Sequence, residues 1–236
     1  MCEPPSPDRF RACKGLLLDF GGTLDSDGEH WLDRFYELYD KAGIDVPKEE
    51  IKRVFYRADA LCCADPLVLT LGLRPLMRHH VRLQLEALGL ASPAREGQLV
   101  EGFCSRTEPI LLRNASLLGR LGQRFHLGVV SNFYGNVAVL CEEAGLAPWL
   151  EVIVDSMRVG MSKPDPEIFW MALNKLGLKP DETIFVGDSY ERDMMPARRL
   201  GMKTIWLKGP NPRIPRDAEP VDGCISNLTD LEHLLS

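Results

Sequence analysis

One short apolar run, isolated near the start of the chain, constrains the fold more than any other feature. Gly15-Leu-Leu-Leu-Asp-Phe20 ends on two glycines, the pattern of a buried strand running into a turn. The next run of this kind begins only at His126. From about residue 29 to residue 103 the apolar residues recur instead at helical spacing. Trp31, Phe35, Leu38 and Tyr39 share one face, as do Ile51, Val54, Phe55, Ala58 and Leu61, and later Leu73, Leu76, Met77, His80, Val81 and Leu88. Breaks near Gly43, Asp65-Pro66 and Gly89 divide the stretch into separate helices.

After Pro109 strands and helices alternate. His126-Leu-Gly-Val-Val130 predicts a strand ending at Ser131-Asn132, with a helix over residues 135–144. Glu151-Val-Ile-Val-Asp155 predicts the next strand. Asp165 caps a helix that has Pro166 at its first position and Ile168, Phe169, Ala172, Leu173 and Leu176 as its apolar stripe. Thr183-Ile-Phe-Val-Gly187 and Lys203-Thr-Ile-Trp-Leu207 read as strands separated by a helix over residues 192–200. A last helix carries Leu228, Leu231, Leu234 and Leu235. This alternation predicts an α/β fold, a doubly wound parallel sheet interrupted after its first strand by a helical insertion. The expected division is a core of residues 13–25 and 108–236, an insertion of residues 26–107 and a disordered tail of residues 1–12. Asn211-Pro-Arg-Ile-Pro-Arg-Asp217 reads as a proline-broken surface loop.

Composition narrows the partners. A net charge of −6 argues against a nucleic-acid binder. No signal-peptide pattern and no run approaching the ~20 apolar residues of a membrane span is found, so a soluble cytoplasmic protein is expected. The seven cysteines are odd in number and none forms a CxxC pair, which reads as free thiols in a reducing compartment.

Three of these strands end in polar residues: Asp19, Ser131 and Gly187-Asp188. In open α/β sheets ligands sit outside the carboxyl ends of the strands, and helix N-termini there attract anions. Two neighbouring carboxylates need a cation, and an oxygen-only ligand set suits Mg²⁺.

The chain here resembles the haloacid dehalogenase superfamily. Asp19-Phe-Gly-Gly-Thr-Leu24 is similar to the family's first motif, Val129-Val-Ser131 to its second, Lys163 within Ser-Lys-Pro-Asp-Pro-Glu-Ile-Phe to its third, and Gly187-Asp-Ser-Tyr-Glu-Arg-Asp193 to its fourth. The resemblance implies a Rossmann-like core with a helical cap and a Mg²⁺-dependent phosphatase acting on a small phosphorylated molecule. Asp19 would be the nucleophile. Asp19, Asp188 and the carbonyl of Gly21 would hold the metal. Ser131, Asn132, Lys163 and Gly22 would contact the phosphate, Thr23 would support the turn, and Asp193 would support the metal's ligands or orient Lys163.

One departure stands out. The phosphatases of this family usually carry a second Asp, the general acid, two residues after the nucleophile, and here that position is Gly21. Asp25, Asp27 or a cap acid could substitute. The family's dehalogenase and phosphonate-cleaving branches, and a phosphate-binding protein without turnover, remain as alternatives. In the insertion, Arg74, Arg78 and Arg82 read as a solvated face before an anion site, His80 as a packed histidine and Cys62-Cys63 as packing. His79, Lys52 and Arg57 are weaker candidates for catalysis or substrate contact.

Overall fold

The computed structural model describes residues 7–210, 212, 215 and 218–236. Among them the elements run in order as β1 (Gly15–Leu18), α1 (Trp31–Lys41), α2 (Lys48–Ala64), α3 (Leu73–Ala87), α4 (Pro93–Leu121), β2 (His126–Ser131), α5 (Val137–Glu143), β3 (Val152–Asp155), α6 (Ser156–Val159), α7 (Pro166–Leu176), β4 (Thr183–Gly187), α8 (Met195–Arg199), β5 (Lys203–Leu207), β6 (Gly223–Ile225) and α9 (Leu231–Leu234). The strands form one parallel sheet in the order β3-β2-β1-β4-β5-β6. Its direction of winding reverses between β1 and β4, so the isolated first strand becomes the centre of the sheet. Leu16, Leu17, Leu18, Ile184, Phe185 and Val186 are fully buried there, as expected of a strand covered on both faces.

The insertion is α1 to α4, packed on one another through Phe35, Ile51, Phe55, Leu76, Met77 and Phe103. Its breaks fall where the sequence places them, with Gly43 (φ +64) and Gly89 (φ +68) just past α1 and α3. Leu61, expected on the apolar face of α2, is 43% exposed; Cys62 takes the buried position instead.

Several boundaries differ from the sequence expectation. The part of the tail beyond residue 6 is not disordered: Pro7–Phe10 forms a 3-10 turn. Phe10 is fully buried, and Arg9 donates to the Asp222 carbonyl at 2.7 Å. One buried aromatic and one long-range hydrogen bond tie this segment down, and no periodicity announces either. α4 spans the expected insertion boundary at residue 107 and runs through Pro109 without stopping. The first half of α4 packs in the insertion, and Asn114 in its second half donates to the Leu24 carbonyl at 2.7 Å. β6 is an addition, too short to show a pattern. The loop of residues 211–217 lies outside the described residues except for Pro212 and Pro215. The free-thiol expectation holds for Cys13, Cys62, Cys63, Cys104 and Cys141 but not for Cys224, which is disulfide-bonded. Among the described residues no helix is long and apolar enough to cross a membrane.

Candidate active site

The central strand delivers Asp19 to the point where the sheet reverses. Its N–H donates to the Val186 carbonyl of β4 at 3.0 Å, and its side chain is 9% exposed. The chain then wraps through Phe20–Leu24 as one wide turn, broken at Gly22 with φ +87. A Cβ on Gly22 would lie 2.5 Å from the Asp188 carboxylate, so both the backbone and the packing require glycine. Gly22 donates its N–H to Asp25 Oδ1 at 2.7 Å. In this arrangement the Gly22 donor is engaged within the loop. Thr23 donates to Asp188 Oδ1 at 3.3 Å and so joins the turn to the end of β4.

β4 ends in Gly187-Asp188, and the turn after it brings Asp193 back under the site. Ser189 N donates to Asp193 Oδ2 at 3.0 Å. Lys163 reaches in from the loop before α7, with Nζ 2.6 Å from Asp193 Oδ1 and 2.8 Å from Asp19 Oδ1. The contact with Asp193 is a hydrogen bond, while that with Asp19 is an ion pair outside hydrogen-bond geometry. Asn132 holds Lys163 by its backbone: Asn132 Nδ2 donates to the Lys163 carbonyl and Lys163 N to Asn132 Oδ1, both at 2.8 Å. The Asn132 side chain is thus a positioning group for Lys163. Ser131, at the end of β2, is 1% exposed and its Oγ has no hydrogen-bond partner.

One oxygen from each of Asp19, Asp188 and Asp193 lies within 4.8 Å of the others. Lys163 supplies a single positive charge against them. Burial pushes Asp193 up to about 6, against the pull of Lys163. Burial, and then the charges of Asp19 and Asp193, push Asp188 well above the usual carboxylate range. For Lys163 burial acts downward, but the two carboxylates outweigh it and raise the ammonium. The site is therefore short of positive charge, and its oxygen-only donor set fits a hard divalent cation.

The space beside Gly21 is filled. A Cβ there would lie 3.3 Å from Phe133 Cε2. That ring packs edge-on against Phe20 and Trp31, with centroids 5.4 Å away in each case. Neither nearby aspartate replaces the missing acid. Asp25 is fully buried and accepts from Gly22 N, Ser26 Oγ and Trp31 Nε1. Asp27 accepts from Arg113 at 2.7 Å and from Leu228 N at 3.1 Å. Both hold the loop in place.

Above these residues lies a cleft of about 690 Å³, walled by the carboxyl ends of the strands on one side and by α1 and α2 on the other. Lys52 and Arg57 are exposed and do not line it. Arg74 pairs with Glu101 and Glu108, and Arg78 and Arg82 with Glu96, a solvated face as expected. His79 pairs with Asp65 at 3.2 Å. Burial pushes the Cys62 thiol up to about 12 and raises Cys63 as well, so both are weak nucleophiles. Sequence reasoning missed Asp59 and Tyr134, which meet in the cleft. The available signal was Asp59 lying four residues after Phe55, beside the apolar stripe of α2.

The profile of haloacid dehalogenase-like hydrolases matches residues 13–201. The chain belongs to the haloacid dehalogenase-like hydrolases. It is 33% identical over 140 residues to haloacid dehalogenase-like hydrolase domain-containing protein 3 of Bos taurus, a match covering 58% of this chain and 53% of that protein. It is 32% identical over 154 residues to phosphoserine phosphatase of Thermus thermophilus, covering 62% of this chain and 60% of that one. The chain thus matches little more than half the length of these curated relatives. Among solved structures it is similar to a 2-haloacid dehalogenase from Pseudomonas syringae pv. tomato, with 26% identity, a TM-score of 0.51 and coverage of 94% and 98% of the two chains. The relatives of this haloacid dehalogenase-like hydrolase therefore include both phosphatases and dehalogenases.

Proposed function

We propose that this hydrolase is a Mg²⁺-dependent phosphatase of small phosphate monoesters that works through an aspartyl-phosphate on Asp19. The observation that carries this is the group of three carboxylates within 4.8 Å of one another, opposed by Lys163 alone. Asp19, Asp188 and the carbonyl of Gly21 would hold Mg²⁺, with Asp193 close by. The ion would supply the charge that allows a carboxylate and a phosphate dianion to share the crevice.

An Asp19 oxygen forms the new bond to phosphorus, and the ester oxygen leaves with the electrons of the broken P–O bond. The departing oxygen takes a proton from solvent. Water then attacks phosphorus and breaks its bond to Asp19, which restores the carboxylate and releases inorganic phosphate, and the proton lost by that water returns to solvent. Ser131 Oγ, buried and unpartnered, donates a hydrogen bond to a phosphoryl oxygen. Lys163 is held by Asn132 and Asp193 where its charge can offset that of the transferring group. Relatives named as phosphatases support the same substrate class. The α1–α4 insertion acts as the cap, shielding the site from water. Among the named proteins similar to this chain, the Pseudomonas syringae enzyme keeps a dehalogenase reading in view. The test is release of phosphate from p-nitrophenyl phosphate with Mg²⁺ and with excess EDTA. Activity with the metal and none with chelator is expected. Halide release from a 2-haloacid, undiminished by EDTA, would overturn the proposal.

A further inference from the structure

Across the cleft from Asp19, α2 presents Asp59 in a fixed orientation. Its Oδ1 accepts from the Tyr134 hydroxyl, on the loop after β2, and from His80 Nε2 of α3 at 3.0 Å. The chain of bonds continues inward. Gln84 Nε2 lies 2.9 Å from His80 Nδ1, and the Tyr39 hydroxyl donates to Gln84 Oε1 at 3.3 Å. Because Tyr39 engages the Gln84 carbonyl, the Gln84 amide group is the donor to His80 Nδ1. The hydrogen-bond pattern therefore puts the imidazole proton on Nε2, aimed at Asp59. His80 and Gln84 are fully buried, whereas the Asp59 side chain is 27% exposed to the cleft. Both anchors grip Oδ1. Among the described residues, no hydrogen bond reaches Asp59 Oδ2.

The surroundings of that free oxygen are aromatic and acidic. Trp31, Phe55 and Tyr56 from the insertion line the cleft with Asp59, and Tyr134 closes it from the core. Asp33 and Glu29 stand on the same wall, Glu29 already neutralised by Arg34 and Arg106 at 2.8 Å each. Among the described residues, the insertion contributes no lysine or arginine to the cleft. His30 also lies on the insertion side, and the described cationic residues of the cleft, Lys163 and Arg192, both belong to the core. The insertion side, with Asp33, Glu29 and Asp59, therefore disfavours a second phosphate or a carboxylate. A carboxylate beside aromatic faces attracts a cation.

We propose that Asp59 determines specificity by binding an ammonium on the leaving group through Oδ2, which makes the preferred substrate a phosphate monoester of a small amine-bearing alcohol. This rests on the phosphatase reading above. Tyr134 and His80 hold Asp59 in place, and a core residue taking part makes the specificity site complete only with the insertion seated over the core.

The test compares kcat/KM for 2-aminoethyl phosphate with that for its neutral isostere n-propyl phosphate, with p-nitrophenyl phosphate as a third substrate, all with Mg²⁺. Wild type is expected to favour the ammonium ester on the order of 10- to 100-fold, the size of one charge-assisted hydrogen bond. In Asp59→Asn this ratio should fall to within about threefold of one, mostly through KM, since an amide no longer carries the charge. The ratio cancels any general loss of activity. Asp59→Ser, smaller but still able to accept from Tyr134 and His80, is the second variant should the first not fold, and it must lower the ratio likewise. A wild-type ratio near one, or a ratio unchanged in a folded variant, overturns the role of Asp59 and leaves the phosphatase reading standing. Failure to hydrolyse any of the three esters, the activated aryl ester included, overturns the phosphatase reading and this inference with it.

Discussion

Ser131 Oγ at the end of β2 is buried with no partner, whereas His80 and Gln84, equally buried in the insertion, are bonded through both polar atoms of each side chain. The same contrast holds for charge. Glu29 in the insertion sits between Arg34 and Arg106, while Asp19, Asp188 and Asp193 in the core share one lysine. Buried polar groups are normally satisfied by the protein itself. The insertion obeys that rule and the core crevice departs from it, which is what the proposed binding of a cation and a phosphate in the crevice would account for.

The contrast breaks most directly at Asp19. Asp19→Asn keeps the shape and removes the proposed nucleophile. Phosphate release should fall by at least ~10⁴-fold, since removing a covalent nucleophile elsewhere costs on the order of 10⁶. Circular dichroism and the melting midpoint should stay close to wild type, because the amide is isosteric and Asp193 still partners Lys163 when the Asp19 charge is removed. A variant that keeps more than a hundredth of the activity would remove Asp19 from the chemistry.

Lys163 comes next. Lys163→Met should lower kcat by roughly 10²–10³, the usual loss for one electrostatic group aimed at the transition state. Lys163 also offsets the carboxylates, so inhibition by a phosphate mimic such as aluminium fluoride should weaken in parallel. A Lys163→Met variant that binds the mimic as tightly as wild type would limit the lysine to holding the loop.

A smaller effect sharpens the other half of the comparison. Gln84→Leu removes the donor to His80 and the acceptor for Tyr39 in a site with no water access. Leaving those partners unsatisfied should cost about 1–3 kcal/mol of stability, measured by urea unfolding. A neutral result would mean that the chain of bonds contributes little to the rigidity of the insertion.

How much of this was legible in the sequence follows from range. Asp19, Ser131 and Asp188 sit at strand ends, so their positions follow from local periodicity once the sheet order is right, whereas Lys163 was legible only through the resemblance of its motif. The helices of the insertion were equally visible, because an amphipathic face repeats. Asp59 and Tyr134 lie 75 residues apart and meet only when α2 packs over the loop after β2, and no local pattern encodes that. Phe10 was missed for the same reason, as one aromatic in a polar segment. Asp25 and Asp27 looked available because they follow the nucleophile closely. Their occupation by Trp31, Arg113 and Leu228 is tertiary information.

Gly21, on the core side of the cleft, sets the finest test. A phosphatase with an acid at this position protonates its leaving group, yet here the Phe133 ring is 3.3 Å from where a Cβ would be. Gly21→Asp alone should give little or no gain on n-propyl phosphate, because the carboxylate must displace a ring packed against Phe20 and Trp31. Pairing it with Phe133→Leu makes room while keeping most of the apolar contact. The double variant should then gain on the order of tenfold on the alkyl ester and clearly less on p-nitrophenyl phosphate, whose leaving group needs no proton. The full ~10²–10⁴ of a positioned acid is not expected, since nothing in the loop orients the new side chain. Phe133→Leu alone serves as the reference. If Gly21→Asp gains as much without the second substitution, the ring yields and does not bar the acid. If the double variant gains equally on both esters, the proton already comes from another group, and the cleft wall that carries Asp59 is where the next substitution belongs.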